Sequence, residues 1–93
     1  MKVHLAPDAE SQLRALPEAA ARRVVSAIRV LQEVPQSGLR FPDSSPFPGS
    51  FYKTVVVQAR RWSYRIIYDV LDDVLWVRFI FPSSHPLTDP EQQ

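Results

Sequence analysis

The sequence predicts a small α+β domain, with an N-terminal strand and an α-helical hairpin packed on a mostly antiparallel β-sheet. Three observations carry this. The stretch Phe51–Phe81, FYKTVVVQARRWSYRIIYDVLDDVLWVRFIF, is rich in aromatic and β-branched residues, the composition of strands. Apolar residues between Ala9 and Val34 recur at helical spacing. Between these regions, Pro35–Ser50 holds four of the nine prolines and both glycines, a density that regular helix or strand does not survive.

Taken in order, Lys2–Leu5 alternates and reads as an edge strand, with His4 structural or facing solvent. Ala6-Pro7-Asp8 is a helix start, where Asp8 caps the first turn or complements its dipole. Ala9, Leu13 and Leu16 form its apolar stripe, and Leu16-Pro17 ends it. A longer helix starts near Pro17-Glu18 with Ala20, Val24, Ala27, Ile28, Leu31 and Val34 on the buried side, and Pro35 closes it. Arg22, Arg23 and Arg29 then lie on solvated sides. Leu39, Phe41 and Phe47 pin the proline-rich loop to the body.

Three strands follow: Phe51–Val57, Ser63–Leu71 and Val74–Phe81. Asp72-Asp73 turns the last hairpin. With Leu71 opposite Val74, one face carries Tyr64, Ile66, Tyr68, Val70, Leu75, Val77, Phe79 and Phe81, uncharged and therefore toward the core. The open face then carries Arg65, Ile67, Asp69, Leu71, Val74, Trp76, Arg78 and Ile80. With Val55 and Val57, the residues Ile67, Trp76 and Ile80 make that face apolar enough to suit a protein partner. Pro82–Gln93 reads as a flexible polar tail.

Length and composition bound the function. At 93 residues the chain is expected to be a single domain with a small core. With 45% hydrophobic and 23% charged residues, it has the composition of a folded soluble protein. The absence of cysteine excludes a disulfide framework and a thiolate metal site. No apolar run is long enough to span a membrane and no signal peptide is evident, so a cytoplasmic location is expected. The net charge of +1 is not that of a strongly basic protein, yet Phe51–Arg65 contains Lys53, Arg60, Arg61 and Arg65 and no acid. Phe51, Tyr52, Trp62 and Tyr64 are interleaved with them. Cations that contact phosphate beside rings that stack on bases suit a nucleic-acid surface, with Lys53, Arg60, Arg61 and Trp62 as its candidates.

The order of elements, with Tyr64-Arg65-Ile66-Ile67-Tyr68 in the second strand of the meander, Phe51-Tyr52-Lys53 leading in and His85 to Pro90 (HPLTDP) at the end, resembles the RelE/ParE superfamily of bacterial type II toxins. The resemblance spans almost the whole chain. It implies one of two activities: a metal-independent, ribosome-dependent mRNA endonuclease, or a ParE-like inhibitor of DNA gyrase without catalysis. It also implies a cognate antitoxin that wraps the toxin in a hetero-oligomer, with no cofactor. A weakened toxin acting mainly as an antitoxin-binding module is a further alternative.

For the endonuclease, Arg65 corresponds to the arginine of the family strand and would stabilise the phosphate, with Lys53 in support. His85 is the candidate proton carrier because its ordinary pKa suits neutral pH. Arg78 would add charge. Three departures stand out: Val55 where a second lysine is expected, Thr88 where many members have arginine, and no tyrosine after the last strand.

Overall fold

The computed structural model describes residues 1–57 and 62–83. Five strands form one sheet: β1 (Lys2–Leu5), β2 (Leu39–Arg40), β3 (Phe51–Val57), β4 (Trp62–Leu71) and β5 (Val74–Pro82). Their spatial order is β1-β5-β4-β3-β2; β1 runs parallel to β5 and every other pair is antiparallel. Two helices, α1 (Pro7–Ala15) and α2 (Glu18–Glu33), cover one face. This is the α+β architecture expected from the sequence.

The helix boundaries follow from proline. Pro7 occupies the first turn of α1, and Pro17 is the N-cap of α2 after Leu16 has turned extended. Asp8 makes no capping bond; Ala6 is the N-cap, and Asp8 with Glu10 complements the first-turn dipole. Ala20, Val24, Ile28 and Leu31 are buried along α2, while Val34 has left the stripe and is exposed, because the chain unwinds there ahead of Pro35. Arg14 and Arg22 pair with Glu10 and Glu18 one turn back, at 3.0 and 2.8 Å, as solvated helix arginines do.

The proline-rich loop is less irregular than its composition suggests. It holds a 3₁₀ turn over Pro35–Ser37, and Leu39–Arg40 pairs with Tyr52 and Phe51 as β2. Leu39 is exposed rather than pinned, since this edge strand turns it to solvent. Phe41 is buried and meets both Phe47 and Tyr52, at ring-centroid distances of 5.5 and 4.6 Å. Phe47 reaches on to Phe79 at 5.5 Å. The segment from Phe41 to Ser50 is therefore a strap across the sheet face opposite the helices. Tyr68, fully buried, donates to the Pro35 carbonyl at 2.7 Å and anchors the start of the loop that leads to the strap.

Burial pushes the Tyr68 hydroxyl above the ordinary tyrosine value of 10.0, against a smaller opposing pull from the Gly38 backbone. The unfolded phenol ionises first, so the stability this group contributes is present below the unfolded value and lost as pH rises through the folded one. Urea unfolding followed from about pH 8 to about pH 11 should show an alkaline loss of stability that is shallower in Tyr68→Phe.

The β4–β5 hairpin turns at Asp72 and Asp73, both with positive φ (51° and 62°), and Leu71 pairs with Val74 as the alternation predicts. The register then shifts. Tyr68 pairs with Val77 but Ile67 pairs with Phe79, which leaves Arg78 as the extra residue of a β-bulge. Beyond it the alternation of β5 is reversed. Ile80 enters the helix-side core, and Phe79 and Phe81 pass to the strap side, the opposite of the arrangement read from the sequence. Past Val77, β5 has outrun β1, and Gln12 of α1 accepts the Ile80 N–H at 2.7 Å. Gln12→Leu, which leaves that N–H unsatisfied, should cost about 1–3 kcal/mol in urea unfolding.

Candidate functional site

The pairing of β3, β4 and β5 decides which candidate residues share a face, because directly opposed residues lie on the same side. Arg65 stands between Thr54 of β3 and Phe81 of β5 on the strap side. Its guanidinium carbon lies 4.7 Å from the centroid of the Tyr52 ring. A cation held over a ring in this way is pre-oriented while keeping its full charge. Tyr52 and Phe81 thus flank Arg65 with aromatic surface, and Phe81 stacks on Phe79 at 5.3 Å.

Farther along the same face, Asp69 is the centre of a polar group. The Ser50 hydroxyl, at the end of the strap, donates to Asp69 Oδ1 at 2.6 Å. Arg78 Nη1 donates to Asp69 Oδ2 at 3.3 Å and to Ser50 Oγ at 3.4 Å. The bulge supplies this geometry by letting Arg78 lean back over β4. Asp69 is thus ion-paired with Arg78.

Lys53 lies elsewhere. It pairs with Ile66 and faces the helix side, where its ammonium reaches the Ser37 carbonyl at 3.4 Å. It lines a groove with Arg23, Ser26 and Val30 of α2. Trp62, opposite Val57, also faces that side and is exposed beside a cleft of about 370 Å³ formed with Pro17, Ala20 and Tyr64. Arg65 and Arg78 are therefore brought to one face, and Lys53 and Trp62 to the other. Arg60, Arg61 and His85 lie outside the described residues.

The expected apolar partner face is corrected in detail. Val55, Val57 and Ile80 are 8%, 4% and 2% exposed and belong to the helix-side core. Ile67 is on the strap side but fully buried, between Tyr52 and Phe79, whose rings Phe41 and Phe47 cover. Trp76 alone of the five remains exposed, its ring 4.3 Å from that of His4. Ser50, Phe79 and Phe81 were not anticipated at the site. The signal for the two phenylalanines is the bulge, which alternation alone does not report.

Among the described residues no group of three or more His, Asp or Glu gathers that could hold a metal ion. Nor is any described helix long and apolar enough to cross a membrane.

No protein-family model matches the sequence, and no curated protein matches it. The fold does find a match among solved structures. The intact E. coli RelBE toxin–antitoxin complex contains a chain that superposes with a TM-score of 0.68, over 89% of this chain and 96% of that one, at 16% sequence identity. The fold is RelE-like. At this identity the likeness concerns the fold; the chemistry rests on the side chains.

Proposed function

We propose that the chain is the toxin of a type II toxin–antitoxin pair, a metal-independent, ribosome-dependent mRNA endonuclease that works in the cytoplasm and is neutralised by a small antitoxin. The observation that carries this is the RelE-like fold over 89% of the chain, with Arg65 displayed on its strap face. The superposed structure is a toxin–antitoxin complex, which supports an antitoxin partner here. Cleavage by attack of a ribose 2′-hydroxyl builds negative charge on the phosphate. A guanidinium that is always charged and held on a ring is suited to meet it. In this reading Arg65 stabilises that charge, His85 moves the proton, and Lys53 and Arg78 add positive potential.

One observation favours a second reading. Lys53 and Arg65 face opposite sides of the sheet, so among the described residues the cationic set is not gathered around one phosphate. A ParE-like inhibitor of DNA gyrase, or a weakened toxin that serves mainly to bind antitoxin, needs no such gathering.

Mapping 5′ ends of a translated mRNA, with ribosomes and with or without the purified protein, separates them. New ends within ribosomal A-site codons are expected. Intact mRNA together with inhibited supercoiling by gyrase would transfer the assignment to the second reading. Intact mRNA and normal supercoiling would leave the antitoxin-binding module.

A further inference from the structure

Arg65 and Arg78 share a face but do not converge. Arg65 and Asp69, which holds Arg78, are four residues apart on β4, roughly 13 Å at the rise of a strand. Between them lies Ile67, fully buried beneath the strap. The two guanidinium groups have separate seats, Arg65 over the Tyr52 ring and Arg78 at Asp69 and Ser50.

Arg78 is nonetheless placed with care. The bulge makes it the extra residue of β5. Ser50, only 2% exposed, commits its hydroxyl proton to Asp69 and its oxygen to Arg78. Among the described residues both hydrogen bonds of the guanidinium run through Nη1. The Nε–Nη2 edge keeps the paired-donor geometry that a phosphate takes. The side chain is still 44% exposed.

We propose that Asp69 and Ser50 form a latch that presents Arg78 as a second phosphate anchor, so that this face grips a single RNA strand at two phosphates, one at Arg65 and one at Arg78. This rests on the endonuclease reading and extends it. Arg78 holds a phosphate other than the one being cut, while Asp69 and Ser50 are positioning residues.

The test uses a fluorescein-labelled, 2′-O-methylated RNA twelve-mer, which cannot be cut because its attacking hydroxyl is blocked. Anisotropy gives its affinity over a series of salt concentrations. Each lost phosphate contact should reduce the magnitude of the slope of log affinity against log salt by about 0.7. Arg78→Ala and Arg65→Ala should each do so, and the double variant by about 1.4.

Asp69→Asn gives the sharper result, because charge and positioning predict opposite signs. Removing a negative charge should by itself tighten RNA binding. Loss of the latch should instead weaken it, by about fivefold. In an Arg78→Ala background the weakening should vanish. Ser50→Ala, which leaves charge unchanged, should weaken binding in the same direction, and it provides the test if Asp69→Asn does not fold. Tighter binding in Asp69→Asn, or an unchanged slope in Arg78→Ala, overturns the anchor while leaving an enzyme that cuts ribosome-bound mRNA intact. Failure of the wild type to bind the twelve-mer also overturns it. If ribosome-bound mRNA then stays uncut as well, the endonuclease reading falls with it.

Discussion

Arg65→Ala should lower ribosome-dependent cleavage of a translated mRNA by about 10²–10³-fold, the usual consequence of removing one group that meets developing charge. The side chain is well placed for such an effect. Its neighbours across the sheet are Thr54 and Phe81, and Tyr52 lies beneath its guanidinium at 4.7 Å. Loss of the ring contact itself costs the fold about 1 kcal/mol. Arg65→Lys keeps the charge but not the planar fork and should recover only part of the activity. The measurement is primer extension on the same mRNA, with thermal unfolding as the control. Cleavage by Arg65→Ala at the wild-type rate would remove Arg65 from the chemistry and favour the gyrase reading.

The second large effect is structural. A Cβ placed on Gly38 would meet the Tyr68 hydroxyl at an impossible distance and the Tyr52 carbonyl oxygen at 2.8 Å. The first of these could yield only if Tyr68 gave up its 2.7 Å bond to Pro35, which ties the start of the loop to the core. The second is sheet backbone and cannot swing away. Overpacking together with a buried hydrogen bond lost makes Gly38→Ala cost about 3–5 kcal/mol, a large share of what a domain of this size has. Adding Tyr68→Phe should not rescue it, since the ring carbon bearing the hydroxyl is itself only 2.9 Å from the added Cβ. Urea unfolding of the single and double variants checks this. A double variant as stable as Tyr68→Phe would mean that the backbone gives way more readily than the geometry implies. Gly49, with φ of +82° and nothing within 4 Å, is a glycine for its conformation rather than for space, a separate cause in the same loop.

The parts of the fold that were legible in the sequence are those where pattern and chemistry coincide. Leu16-Pro17 and Val34-Pro35 mark helix ends because proline allows little else, and Asp72-Asp73 marks the hairpin because both residues tolerate positive φ. Alternation was reliable only up to Arg78. Beyond it the chain reads Phe79-Ile80-Phe81, three large apolar residues that suit either face, so no polar residue exposes the change of phase. Without the bulge, Ile80 falls on the open face and the phenylalanines in the core, which is the reverse of their positions. Of the apolar residues read onto the open face, Ile67 and Trp76 lie there, while Val55, Val57 and Ile80 belong to the helix-side core. A sequence gives no sign of whether such a face is covered by another protein or by its own chain. Here Phe41 and Phe47 cover it, and Ile67 is buried by a neighbour some twenty residues earlier in the chain. The separation of Lys53 from Arg65 follows from simple parity along paired strands, but only once the register of β3 against β4 is known.

The parallel pairing of β1 with β5 sets an order of events in time. Lys2 lies opposite Val74, and the Ala6 N–H reaches the Val77 carbonyl, so the first strand synthesised has no partner until the last has been made. As the chain emerges from a ribosome, both helices and the strap precede the surface they are to cover. Arg78 and Phe81 reach Asp69 and Arg65 only at the end. Contacts so distant along the chain slow folding, because the closure of a long loop must come first. The nascent protein therefore cannot display a finished strap face until β5 has been made.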